Sequence, residues 1–143
     1  MDGEHLTGNY RVRAIGPAMQ EAWRLCRRMR DNIALRRQAL KLRYWPENHP
    51  LSDSGQIIDL DWSWIRSLPK QSVGELRVHE TIAGNDNLRI IFFVGDRKVL
   101  DPLPVIWILR VMQKRRNDFS RNDVSIFKAR RALVIERFYK PRK

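Results

Sequence analysis

The stretch that most constrains what this chain can fold into runs from Gly74 to Arg116. It reads GELRVHETI, then the turn AGNDN, then LRIIFFVG, and after a proline-bounded gap VIWILRVMQ, which opens into Lys114-Arg115-Arg116. These are the only long β-rich segments in the sequence, so any sheet must be built from them. Gly84, Asn85, Asp86 and Asn87 are residue types that tolerate the positive φ of a hairpin loop. A core of three antiparallel strands is the economical reading. Its third strand spans Val105 to Gln113, with Pro102 and Pro104 in the lead-in, where a missing ladder donor does no harm.

Strand alternation puts Glu75, Arg77, His79 and Thr81 on one side of the first strand and Leu76, Val78 and Ile82 on the other. If Ile82 and Leu88 flank the loop as a pair, Thr81 faces Arg89, and Arg77, His79 and Arg89 share one face. A slip by one residue would separate them. Antiparallel sheets often keep one wet side, so a solvated face is the bland explanation. Arg89 argues for a functional one, because it is the only charge in an otherwise apolar strand.

Before this stretch, Tyr10 to Ile15 alternates as an edge strand would, closed by Gly16-Pro17. From Pro17 to about Tyr44 the pattern turns helical, with Met19, Trp23, Cys26, Ile33 and Leu40 on one face. One long helix, or two pieces broken near Asp31-Asn32, both fit that periodicity. The other faces carry Arg24, Arg27, Arg28, Arg30, Arg36 and Arg37 against only Glu21 and Asp31. Like-charge neighbours at this density weaken a helix unless a polyanion or an acidic partner relieves them. Trp45-Pro46 and His49-Pro50 end the helix, and an extended loop follows at about 45–59. Asp61 is placed to cap a short helix through Leu68, with Trp62 and Ile65 as its buried pair and Pro69 as its stop.

The C-terminal segment carries the cleanest helix start in the chain. Ser120 stands as N-cap, Asp123 three residues on as its capping-box partner, and Phe119 and Val124 at staple positions. The helix is expected from about Arg121 to Phe138. Its stripe Val124, Phe127, Val134 and Phe138 has Arg131 in the middle, so this guanidinium should lie against the body of the protein or reach a partner. Pro141-Arg142-Lys143 reads as a frayed tail.

At 143 residues the chain has room for one domain, taken as 1–143. With 28 Lys and Arg against 16 Asp and Glu, a net charge of +12, its field attracts polyanions, nucleic acid above all. No apolar run approaches the ~20 residues of a spanning helix. The N-terminus also lacks a basic segment followed by an apolar one, so no membrane association and a cytoplasmic location are expected. The single Cys26 rules out an internal disulfide. Three scattered histidines and one cysteine make no metal-ligand pair, and no phosphate loop, nucleophile elbow or dinucleotide fingerprint is present, so neither a metal nor a small-molecule cofactor is expected.

What remains is a cluster of cations on a sheet face, with one histidine among them and a strand end that delivers Lys114, Arg115 and Arg116 towards it. RNA can be cut with such parts and no metal. The 2′-hydroxyl needs a proton acceptor, fixed guanidinium groups stabilise the charge gained at phosphorus, and the leaving oxygen needs a proton donor.

Gly74-Glu75-Leu76-Arg77-Val78, Leu88-Arg89-Ile90-Ile91-Phe92-Phe93, Trp107-Ile108-Leu109 leading to Lys114-Arg115-Arg116, and Asp123 to Arg131 with Ala129 and Arg130 occur in an order and spacing that resemble the RelE/HigB-type toxins of bacterial toxin–antitoxin systems, including their phage-derived branch. The resemblance covers about residues 72 to 139. It implies an α+β fold, with N-terminal helices packed on a twisted, mainly antiparallel sheet of three to four strands and a C-terminal helix. It also implies a ribosome-dependent endoribonuclease that cleaves mRNA and is silenced by a cognate antitoxin. The family's basic strand positions fall on Arg77 and Arg89 and its post-strand cluster on Lys114, Arg115 and Arg116. On this reading Arg77 and Arg89 clamp the scissile phosphate and His79 carries a proton, with Lys114 and Arg115 completing the catalytic set. Arg110, Arg116 and Arg131 hold the RNA. A non-enzymatic basic module that grips nucleic acid or an acidic protein is the rival reading. The same fold also includes toxins directed at gyrase, since fold does not fix function.

Overall fold

A computed structural model describes residues 8–52, 54–95 and 103–140. The expectations for Pro102 and for the 141–143 tail lie outside them. Five strands form one mixed sheet in the order β1-β5-β4-β3-β2, where β1 is Arg11–Ala14, β2 Trp62–Trp64, β3 Val73–Val78, β4 Leu88–Val94 and β5 Val105–Gln113. Helices α1 (Gly16–Leu25) and α2 (Met29–Leu40), the latter continued by a 3₁₀ turn Lys41–Tyr44, follow β1. Helix α3 (Arg121–Val134) follows β5 and ends in a π turn, Ile135–Tyr139. The α+β class is as expected, with five strands in place of the three to four foreseen.

The three central strands lie where the β-rich runs place them, and β5 has the expected bounds. The β3–β4 register is not the expected one. Val78 pairs with Leu88 and Arg77 with Arg89, where Thr81 was expected opposite Arg89. The hairpin loop is longer because a tight turn forms inside it: Ile82 and Asn85 exchange backbone hydrogen bonds at 3.1 and 2.9 Å around Ala83 and Gly84, both at positive φ. The shift is four residues. Being even, it leaves every side chain on the face that alternation assigned.

Two further expectations are corrected. The segment after Asp61 is no helix: Trp62, Ser63 and Trp64 pair with Leu76, Glu75 and Gly74 as edge strand β2. Trp62 packs with Trp45 and Trp64 at centroid distances of 5.1 and 4.9 Å, and Gly74 leaves room for the Phe92 ring beneath them. The N-terminal helix breaks at Cys26–Arg28, earlier than Asp31-Asn32. Cys26 is fully buried there, and the Asn85 amide donates to the Leu25 carbonyl at 2.9 Å, tying the break to the hairpin loop.

Each sheet face has its own core. Leu76, Val78, Leu88, Ile90, Phe92, Ile106 and Ile108 pack under α1 and α2 with Ala18, Cys26 and Leu35. Val73, Ile91, Phe93, Val105, Trp107 and Leu109 pack under α3 with Phe127 and Val134. The α3 start is as foreseen: Ser120 Oγ accepts from Asp123 N–H at 3.0 Å, and Asp123 accepts from Ser120 N–H at 3.2 Å. A register shift opposite Ile91 and Phe92 takes up one extra β5 residue, so that Arg110 pairs with Ile91 and Met112 with Arg89. The second face is therefore apolar beneath α3 and charged beyond its N-terminus.

Candidate functional site

At that charged end a carboxylate sits beneath three cations. Glu75 is 5% exposed, and its Oε1 lies 3.2 Å from Arg89 Nε, 3.7 Å from Arg77 Nε and 3.7 Å from Lys114 Nζ. Burying a lone carboxylate costs several kcal/mol, so this geometry exists only because the cations surround it. In turn, Glu75 is what allows Arg77 and Arg89 to stand opposite each other, since like charges at paired positions repel. Arg89 is further held by a 3.2 Å bond to the Leu88 carbonyl, and the Lys114 ammonium lies 4.3 Å from the Phe119 ring centroid.

A second carboxylate joins Arg77 to the histidine. Asp61 Oδ1 accepts from Arg77 Nη1 at 3.0 Å, and Asp61 Oδ2 is 2.7 Å from His79 Nε2. Ser63 Oγ accepts from Arg77 Nη2 at 3.0 Å. Asp61 and Ser63 belong to this face because β2 alternates about Trp62 and Trp64, and the Asp61 carbonyl takes the Arg77 N–H at 2.8 Å. With the Nε2 hydrogen donated to Asp61, the His79 Nδ1 lone pair is the one left to accept a proton. His79 is well exposed at the rim, whereas Arg89 and Lys114 are largely covered. Three cations against two carboxylates leave this cluster one net positive charge with His79 neutral. An open cleft of about 420 Å³ adjoins it, lined by Arg77, Lys114, Arg66, Asn117 and Asp118 among others.

Arg77, His79, Arg89 and Lys114, picked out from the sequence, thus come together through Glu75 and Asp61. Arg115 and Arg116 do not reach this cluster. They line a neighbouring cleft of about 640 Å³ with Arg24 and Arg110, and Arg115 Nη2 approaches Gln113 Oε1 at 3.4 Å. Arg110 is taken up internally, 2.9 Å from Asp123 Oδ1 and 3.6 Å from Glu21 Oε2. Arg131 donates to the Gln71 carbonyl at 2.7 Å and lies over the Phe93 ring, which is the first of the two alternatives its place on the stripe offered.

Glu75 was visible on the polar face but its part as organiser was not. Asp61 was read as a helix cap; the alternation Asp61, Trp62, Ser63, Trp64 was the signal for an edge strand instead. Glu21 and Arg130 were noted singly, but their pairing was missed. Glu21 Oε1 accepts from Val111 N–H at 3.2 Å and from Arg130 Nη1 at 2.8 Å, and Arg130 Nη1 also donates to the Leu109 carbonyl at 2.9 Å. No sequence pattern links positions that far apart.

Comparison with protein-family models, with characterised proteins and with solved structures finds no match.

Proposed function

We propose that this protein is a metal-independent endoribonuclease of the RelE/HigB kind, acting on mRNA in the ribosome and paired with an antitoxin that covers its basic surface. The observation that carries this reading is the convergence of Arg77, Arg89 and Lys114 on Glu75, with Asp61 linking Arg77 to an exposed histidine. His79 Nδ1 takes the 2′-hydroxyl proton, and the 2′-oxygen attacks phosphorus. Arg77 compensates the charge that builds on the non-bridging oxygens. The bond to the 5′-oxygen breaks, and its electron pair leaves with that oxygen, which takes a proton from the Lys114 ammonium; the proton held by His79 then passes through water to Lys114, restoring both groups. Asp61 fixes the imidazole tautomer, and Arg89 positions Arg77 through the shared carboxylate. The products are a 2′,3′-cyclic phosphate and a 5′-hydroxyl end.

Incubating the protein with translating ribosomes and mapping messenger ends tests this directly. Cleavage that leaves those two ends, and that is lost in His79→Ala, is the expected result. Messenger that stays intact with both proteins sinks the nuclease. The binding-module reading draws on one feature of the same cluster: its cations already have a carboxylate at hand, which suits a surface that grips without reacting. Association with ribosomes or free RNA without any cleavage would favour it.

A further inference from the structure

The cleft beside Glu75 is one of three that share lining residues in succession. The second, about 640 Å³, shares Lys114 and Asp118 with the first and passes Arg115 and Arg116 at the end of β5. The third, about 660 Å³, shares Arg24 and Leu25 with the second and is lined by Arg27, Arg28 and Arg30 at the elbow between α1 and α2. We propose that a single RNA strand follows these three clefts in turn, its backbone running from Arg77 across the end of β5 to the arginines of the elbow. The inference builds on the nucleic-acid reading of the Glu75 cluster and adds where the flanking strand lies.

The elbow is built to hold charge in the open. Helix α1 stops at Leu25, whose carbonyl is fixed by Asn85, and the Cys26 side chain turns into the core. Arg24, Arg27, Arg28 and Arg30 are left exposed within seven residues. Asp31 reaches only Arg30, at 4.0 Å, and among the described residues no carboxylate pairs with Arg24, Arg27 or Arg28. On the sheet face and around α3, by contrast, the cations have acid partners: Glu75, Glu21 and Asp123 each serve two or more of the groups around them. Mutual repulsion at the elbow is therefore uncompensated within the described residues, and a polyanion would relieve it.

The chemistry of the walls favours phosphodiester over an acidic helix. Only Leu25 and Ala83 among the eight residues lining the elbow cleft are apolar, and a docked amphipathic helix takes its hold from apolar anchors. In the middle cleft Glu21 and Asp123 are neutralised by Arg130 and Arg110, which leaves Asp118 there and Asp31 in the elbow cleft as the acids along the way.

The test uses a fluorescent 12-mer of 2′-O-methyl-uridylate, which binds without being cut, titrated over a salt series. Wild type should bind one strand per protein. The triple variant Arg24→Gln/Arg27→Gln/Arg28→Gln should flatten the log–log salt slope by about two units, from three phosphate contacts at about 0.7 each. The matching triple Lys variant should keep the slope, which separates loss of charge from loss of structure. An unchanged slope in the Gln variant, or two strands bound per protein, overturns the path. So does a protein that binds polyglutamate but not the 12-mer, which assigns the elbow to an acidic protein instead. Binding as expected without messenger cleavage in the ribosome assay sinks the nuclease and leaves the path. Cleavage with a flat response at the elbow does the reverse.

Discussion

Arg77 and Arg89 stand directly opposite each other on β3 and β4, and both reach the same oxygen of Glu75. Replacing that carboxylate by an amide leaves Arg77, Arg89 and Lys114 to repel one another in a largely covered site. Glu75→Gln should lose about 2–3 kcal/mol, less than the ~3–5 kcal/mol of a buried pair stripped of one partner, because glutamine keeps an acceptor in place. Inorganic phosphate should then stabilise the variant more than the wild type, since an anion can take up the freed cations. Thermal melts with and without phosphate measure both effects. Equal melting of the two proteins would show that Glu75 does not organise the cluster.

Histidine 79 should separate chemistry from folding. It is exposed and contributes no apolar burial, so His79→Ala should melt within about 0.5 kcal/mol of wild type. Single-turnover cleavage should fall by about 10²–10⁴-fold, the usual share of a positioned proton carrier. Asp61→Asn should land between the two proteins, since the tautomer is then no longer fixed and Arg77 loses an ionic partner. Full activity in His79→Ala would remove it from the reaction.

The α3 cap makes a graded prediction. Ser120→Ala removes one hydrogen bond to the Asp123 N–H and should cost about 1 kcal/mol. Asp123→Ala loses both its bond to the Ser120 N–H and its 2.9 Å pair with Arg110, so it should cost more. The double variant should cost less than the sum, because the two residues share one box. Urea titrations of the four proteins would expose strict additivity if it holds.

Cys26 reports on the elbow. Burial first, and Asp31 second, push its thiol above the ordinary range. The folded state therefore holds the proton more tightly than the unfolded chain does. The stability this represents is whole below the ordinary thiol range and is lost as pH rises through and above it. The melting temperature should accordingly fall on the alkaline side, and the fall should be smaller in Cys26→Ala. Alkylation of the native protein should proceed only through opening of the structure. Fast labelling at neutral pH would mean that the elbow is looser than its packing indicates.

The sheet's centre was legible because β3, β4 and β5 are long and β-rich, and side-chain parity survives any even error in register. That is why Arg77 and Arg89 could be placed together although their pairing was four residues off. Helix α3 announced itself through a cap that needs only four residues to recognise. Edge strand β1 was legible in the alternation from Tyr10 to Ile15, but the alternation around β2 is too short to decide by itself, since the strand has only three residues. An acid followed by apolar residues three apart fits a capped helix equally well, and pairing with β3 decides the matter. The helix break at Cys26–Arg28 has no glycine or proline to mark it; it follows from where Cys26 is buried and from a bond to a loop about 60 residues away. Glu21 belongs to the same class, fixed by tertiary contacts alone.

Strand β1 covers β5 only as far as Ile108, and beyond it the next edge groups without a strand partner are the Leu109 carbonyl and the Val111 N–H. Arg130 supplies the donor and Glu21 the acceptor that a longer strand would have offered, and the two also bind each other. A pair of side chains thus imitates one rung of a missing strand and closes the edge to a strand from another molecule. The opposite border is guarded by brevity, because β2 is three residues long. The protein keeps its most aggregation-prone sequences, β4 and β5, paired inside and answers to neighbours with charge.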